Sequence, residues 1–424
     1  MKAKERSKIW VEQFQQKLYL ASKASATRRF GILYDKVYRM DVLQEAWKRV
    51  KRNRGSSGVD GKSIQEIERE IGVEPYLSEI QGELKSGQYT ASNIRRVYIP
   101  KGTDGKRPLG IPTVKDRVIQ MAVKLIIEPL FEADFLDCSY GFRPKRSNTQ
   151  AVKLAHYFSN SSKWIVDVDL KSYFDTIPHG ELEAMIRKRV GDKSVLALIH
   201  QWLIAGIMEE GKVRRPTDGT PQGGVLSPLL SNIYLHEIDK LWNDNSTMKI
   251  IRYADDMLLL CRTEKQAHYV LRKLRGQLES LGLFLNEEKT KIVHVREGFD
   301  FLGYTIKEAY SYDRGKLVRI KFPRPKSEKN MRCKIKDAIK AIPLGNELWE
   351  VITMLNRKLS GWANYFKIGN SYKQALRLSG YVCSQLRLYW HRCKHRKNIS
   401  GTRKWANSYF YEKGLYYVPN LLSK

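Results

Sequence analysis

Two adjacent carboxylates, Asp255 and Asp256, separate two apolar runs, Lys249–Tyr253 and Met257–Cys261. Runs of β-branched and long aliphatic residues favour buried strands, and an Asp pair can turn the chain between them, so the segment reads as a hairpin with a dry body and an acidic tip. Taken alone, such a pair is usually just an ordinary solvated turn. A second acidic strand lies upstream. Trp164–Leu170 reads as buried, and Asp167 and Asp169, two residues apart, share one of its faces. Carboxylates at the end of a buried strand are costly unless they are paired or bind metal. If the three strands converge, Asp169 meets Asp255 and Asp256 in a donor set for hard divalent ions. Transfer of a nucleotidyl group uses two such ions roughly 3.5–4 Å apart, and Mg²⁺ accepts one or two carboxylates together with substrate phosphates. On this reading Asp169 and Asp255 bridge the ions, the Leu170 carbonyl adds a ligand and Asp256 supports the geometry.

Other segments must build a pocket around that cluster. Arg95–Lys101 and Arg107–Pro112 flank an Asp-Gly step and read as a hairpin, with Lys101 and Arg107 brought together near its tip, where paired cations could grip a triphosphate or simply be solvated. Val114–Phe135 reads as a long buried helix with Arg117 in its first turn. Gly219–Gly224 is a tight turn before a helix over Leu226–Leu235, and glycine there permits close approach of a ligand or is an ordinary loop. The loop Ser139–Ser147 mixes Tyr140 and Phe142 with Arg143, Lys145 and Arg146, a combination suited to stacking on bases while meeting phosphates. Helical spacing is expected in residues 1–35, at Val42–Val50, from Ile64 to Leu84 and from Gln266 to Leu281.

The composition is that of a globular protein, with 42% hydrophobic residues over 424 positions, and its net charge is +31. An excess of that size points to a polyanionic partner, since Lys and Arg displace the counterions condensed on phosphates. Residues 321–424 hold 22 Lys or Arg against 5 Asp or Glu, interleaved with aromatics such as Trp362, Tyr365, Tyr389 and Trp390. A basic helical module laid on a polynucleotide accounts for that tail better than a second enzyme does. Five dispersed cysteines (138, 261, 333, 383, 393) read as reduced thiols, and the His391, Cys393 and His395 group as basic-surface decoration rather than a metal site. No secretory leader is visible in the charged first ten residues, and no run is long enough to span a bilayer, so an intracellular protein of bacterial cytoplasm, with no membrane partner, is expected.

Taken together, Tyr253-Ala-Asp-Asp256, Asp169 with Phe174 five residues on, Pro221-Gln-Gly-Gly224 and Phe301-Leu-Gly-Tyr304 look like successive motifs of a reverse transcriptase. Arg95–Lys101, Ile111–Arg117, Ser139–Ser147 and Leu359–Phe366 narrow the resemblance to the group II intron-encoded reverse transcriptase/maturase family, over about Val42 to Trp390. That resemblance implies an α+β right-hand polymerase: a basic N-terminal extension over 1–40, fingers and palm over 41–310, and a basic helical thumb with the maturase domain X over 311–424. It implies a DNA primer extended with dNTPs on an RNA template by two Mg²⁺ ions (Mn²⁺ able to substitute) on Asp169, Leu170, Asp255 and Asp256. Lys101 and Arg107 would hold the triphosphate with Arg117 nearby, Phe174 would exclude the 2′-hydroxyl, Gln222 would border the nucleotide and Ile111 the templating base pair. The region near Gly55–Gly61 would contact template, and Arg143, Lys145, Arg146, Trp362, Arg387 and Arg392 would meet the group II intron RNA whose splicing the family assists. The chain lacks the paired cysteines of the HNH endonuclease found in many relatives, so self-encoded second-strand cleavage is not expected. Two other readings stand beside this one: a non-catalytic splicing factor on a polymerase scaffold, and a reverse transcriptase serving a retroelement, defence or CRISPR system.

Overall fold

The computed structural model describes residues 3–100, 105–209, 212–214, 218–220, 223–242, 248–393 and 405–423. Within these the strands are β1 (Ile94–Pro100), β2 (Lys106–Ile111), β3 (Trp164–Val168), β4 (Ile207–Glu209), β5 (Lys212–Arg214), β6 (Lys249–Tyr253), β7 (Asp256–Cys261), β8 (Lys291–His294), β9 (Phe299–Phe301), β10 (Tyr304–Ser311) and β11 (Lys316–Pro323). They form three sheets, ordered β2-β1-β4-β5, β6-β7-β3-β8 and β11-β10-β9. Helices carry most of the remainder, giving the α+β right-hand polymerase architecture.

The β6-β7-β3-β8 sheet organises the molecule, and every pairing in it is antiparallel. Its strands are apolar on both faces because both faces are covered. Val166, Val168, Met257 and Leu259 enter one core, shared with the helices Val114–Glu132, Ser227–Trp242 and Glu264–Ser280. Ile165, Leu258 and Leu260 enter the other, shared with Asn148–Phe158 and the C-terminal helices Pro325–Lys340, Leu348–Phe366 and Tyr372–Cys393. The period-two alternation of the strands thus sorts their side chains between two hydrophobic masses.

The long helix Val114–Glu132 is buried nearly all round and starts at Thr113, whose hydroxyl accepts from the Asp116 N–H. Against it packs the N-terminal helix Ala3–Lys23, narrower than the helical region expected over 1–35. Gln15 donates to the Leu125 carbonyl at 2.8 Å and Ser22 to the Leu130 carbonyl at 2.9 Å. Downstream of that helix the chain docks at the start of the helix Lys193–Leu203, where the Leu33 and Tyr34 N–H groups donate to its capping residue Asp192. The helix expected from Ile64 to Leu84 is broken at Gly72, whose φ of +85° no continuous helix accommodates. The strand expected to reach Leu170 ends at Val168, after which Leu170 bridges to Leu285. No described helix is long and apolar enough to cross a membrane.

Candidate active site

The register of the central sheet decides which carboxylates meet. Val168 pairs with Met257 and Asp167 with Leu258, so Asp169 and Asp256 occupy the next positions of the same ladder. Asp167, Asp169 and Asp256 all alternate with residues of the first core, and they therefore project from the opposite face, toward the C-terminal helices. There they line a cleft of about 470 Å³ with Glu288, Lys289, Lys291, Asp300, Gly303 and Arg324. Asp255 lies half-buried on the turn itself, outside that lining, and its charge reaches the buried Tyr173 hydroxyl as well as Asp256. Asp256, expected only to support the geometry, shares the cleft with Asp169.

Mutual repulsion marks this face. Burial first, then Asp255, Asp167 and Asp169, push the Asp256 carboxyl up to about 6, although part of the residue stays open to solvent. Burial likewise raises Asp167 to about 6, with Asp300 and Asp169 adding to it against the opposing charge of Lys291. Lys289 offsets part of this, its Nζ lying 3.5 Å from Asp169 Oδ2. Among the described residues no three His, Cys, Asp or Glu side chains close on one point as they stand. Carboxylates crowded in an open cleft, their charge only partly offset by Lys289, Lys291 and Arg324, nevertheless suit a hard cation that draws its remaining oxygens from a substrate's phosphates.

The acidic turn is held by unusually close packing. Ala254 takes φ +57°. A Cβ on Gly141 would stand 2.3 Å from the Ala254 amide nitrogen and 2.9 Å from the Tyr253 carbonyl carbon. The Ser139–Ser147 loop therefore lies directly against the turn.

Residues expected around the nucleotide are distributed as follows. Lys101 and Gln222 lie outside the described residues. The β1–β2 hairpin forms, with Arg107 exposed opposite Ile99 and Ile111 half-exposed opposite Arg95. Phe174 is half-buried in the short helix Tyr173–Thr176, and its carbonyl accepts from the Thr220 N–H at 2.6 Å. Gly219 (φ +93°) makes that contact possible, since a Cβ there would meet the Asp175 backbone at 2.8 Å. Arg117 is turned away: it is buried, and its guanidinium donates to the Ser56 carbonyl at 2.6 Å, tying down the Gly55–Gly61 loop.

The residues expected to meet RNA divide. Arg143 is 7% exposed and spends its donors on Glu132 and on the Phe135, Leu136 and Ser139 carbonyls, so it braces its own loop. Trp362, 8% exposed, belongs to the C-terminal core. Arg146 pairs with Asp137 and covers the Tyr140 ring, while Arg387 donates to the Trp405 carbonyl and to Asn407. Lys145 and Arg392 are exposed. A cation or a tryptophan in a basic segment reads the same whether it faces solvent or the interior, which is why the pattern misplaced Arg143 and Trp362.

Residues 99–306 match the family described as reverse transcriptase (RNA-dependent DNA polymerase), and residues 328–410 match the group II intron, maturase-specific domain. Protein YkfC of Escherichia coli is 35% identical, across 70% of this chain and 88% of its own length. The group II intron-encoded protein LtrA of Lactococcus lactis is 29% identical, across 88% of this chain and 76% of its own. The chain belongs to the group II intron-encoded reverse transcriptase/maturase family. Nuclear intron maturase 4 of Arabidopsis thaliana is 28% identical over half of this reverse transcriptase/maturase chain. The first matched region supplies the carboxylates of the cleft, and the second begins four residues after Arg324. Lys289 and Arg324 went unremarked in the sequence. Lys289 was legible only as one charge in the polar run Asn286–Thr290, and Arg324 only as a residue between strand and helix.

Proposed function

We propose that this protein is an RNA-directed DNA polymerase that extends a DNA primer with dNTPs on an RNA template, and that it also binds group II intron RNA and assists its splicing and mobility. The observation that carries the reading is the ladder that places Asp169 beside Asp256 on one face, with Asp255 on the adjoining turn. Asp169, Asp255 and Asp256, with the Leu170 carbonyl, would hold two divalent ions, Mg²⁺ or Mn²⁺. When bound, such ions make the primer 3′-hydroxyl more acidic and neutralise charge developing at the transferring phosphorus.

The protein's own groups position the substrates. Arg107 and Lys101 would meet the triphosphate. Phe174, packed against Tyr173 and held through its carbonyl by the Thr220 N–H, would act as the ring that excludes a ribose 2′-hydroxyl. Ile111 and Gln222 border the base pair and the nucleotide. Lys289, beside Asp169, balances the carboxylate when no cation is there. The basic C-terminal helices and the exposed Lys145 and Arg392 take the intron RNA, with affinity that falls as salt rises.

Asp255→Ala tests the assignment. Extension of a DNA primer on RNA should fall to background, while intron RNA affinity stays within about twofold because no phosphate contact is lost. Wild-type-rate extension by the variant would remove the polymerase site from this turn, and a wild-type protein that splices but never extends would mark a non-catalytic splicing factor.

A further inference from the structure

Arg252 stands on β6 one residue before Tyr253 and is fully buried, with 0% of its side chain exposed. A buried guanidinium is costly unless its donors are met. Here Nε donates to Asp239 Oδ1 at 2.7 Å, Nη2 donates to the other Asp239 oxygen, and Nη1 donates to Asn232 Oδ1 at 2.9 Å and to the Ala254 carbonyl at 3.1 Å. Asp239 is equally buried. Asn232 and Asp239 lie seven residues apart, two turns along one face of the helix Ser227–Trp242. Asn232 continues outward, its Nδ2 donating to the Gly141 carbonyl at 2.8 Å. The Arg252 backbone is fixed as well, its N–H donating to the Cys138 carbonyl and its carbonyl accepting from the Tyr140 N–H, both at 2.8 Å.

Stability alone does not explain this arrangement, because an apolar pair of similar volume is often as stable as a buried ion pair. What an apolar pair lacks is a donor for the Ala254 carbonyl. Ala254 sits at φ +57°, a left-handed conformation that a residue with a Cβ keeps only where its surroundings hold it. That carbonyl belongs to the residue immediately before Asp255. We infer that Arg252, oriented by Asp239 and Asn232, is a positioning residue of the site: by holding the Ala254 carbonyl it fixes where Asp255 and Asp256 present their carboxylates to divalent ions. This rests on the metal-dependent reading proposed above.

The test compares wild type with Arg252→Lys, Asn232→Ala and Asp239→Asn. Mn²⁺ binding is followed by electron paramagnetic resonance, counting only the signal lost in Asp255→Ala, and the Mg²⁺ dependence of single-turnover extension is measured alongside. Arg252→Lys keeps the charge but loses the fork, and it should raise the half-saturating concentration of both ions about tenfold, as loss of outer contacts to metal ligands does. Template–primer affinity should not change. Asn232→Ala leaves the ion pair in place and should shift metal affinity in the same direction by less, and it decides the question if Arg252→Lys does not fold. Folded variants that lose melting temperature or active fraction but keep wild-type half-saturation would overturn the inference, as would wild type with no Asp255-dependent Mn²⁺ signal. Wild type that extends primers while the variants show no shift refutes the positioning role alone. Wild type that never extends, with the Mn²⁺ shift present, refutes the polymerase reading alone.

Discussion

Gly141→Ala places one methyl group against the acidic turn. The added Cβ would meet the Ala254 nitrogen at 2.3 Å, the Tyr253 carbonyl carbon at 2.9 Å and the Ala254 Cα at 3.1 Å, whereas ordinary contact begins at 3.4 Å. Every one of those atoms is backbone, so no side chain can swing aside, and the turn and the loop must part by about 1 Å to restore normal contact. The Gly141 carbonyl is tied to Asn232, so the loop cannot retreat without losing that bond. The shift therefore falls largely on Tyr253–Asp256. A misplacement of about 1 Å in a catalytic constellation can cost on the order of 100-fold in rate, and overpacking of this kind costs roughly 1–3 kcal/mol of stability. Single-turnover primer extension at saturating dNTP and template–primer should show that fall, with RNA affinity intact. Extension within threefold of wild type, in a protein of unchanged melting temperature, would refute the claim that the loop sets the turn.

Phe174→Ala should raise ribonucleotide incorporation relative to deoxynucleotide on the order of 10- to 100-fold, and an unchanged ratio in competition assays would remove the gate from that ring. Arg143→Ala should destabilise the fold by roughly 3–5 kcal/mol, because Glu132 would be left without its partner, and denaturant unfolding checks it. Intron RNA affinity of the folded fraction should barely move. Burial holds the His236 imidazole down at about 4, against the pull of Asp239, whereas the unfolded chain takes up its proton near 6.5. The unfolded state thus binds more protons between those values, and stability should drop by about 2 kcal/mol from pH 7 to pH 5. His236→Leu should flatten that part of the pH–stability curve, and an unchanged slope would contradict the assignment.

Three strands of the central sheet were legible because they obey two simple rules at once, apolar runs of strand length and carboxylates near a strand's end, whereas β8, with Lys291 and His294 at its ends, was not expected. Asp167, Asp169 and the Asp255-Asp256 turn could be read from spacing, and the family motifs supplied their order. What the sequence hid is the partner of each charge. Arg252 interrupts an apolar run and Asp239 an amphipathic helix, and nothing local says that two such residues answer one another across thirteen positions. Arg143 reads as one more cation in a basic loop, yet Glu132 and three carbonyls draw it inside. The break at Gly72 was missed for a different reason, since the apolar periodicity continues through it and only the left-handed backbone shows the interruption.

The N-terminal helix has a mechanical consequence. Its side chains grip the spine of the long helix at Leu125 and Leu130, and the segment behind it reaches Arg189, which donates to the Ser25 and Arg28 carbonyls, and Asp192. A brace anchored at both ends ties the helix Val114–Glu132 to the segment around Arg189 and Asp192, so those two parts of the first core should move as one piece.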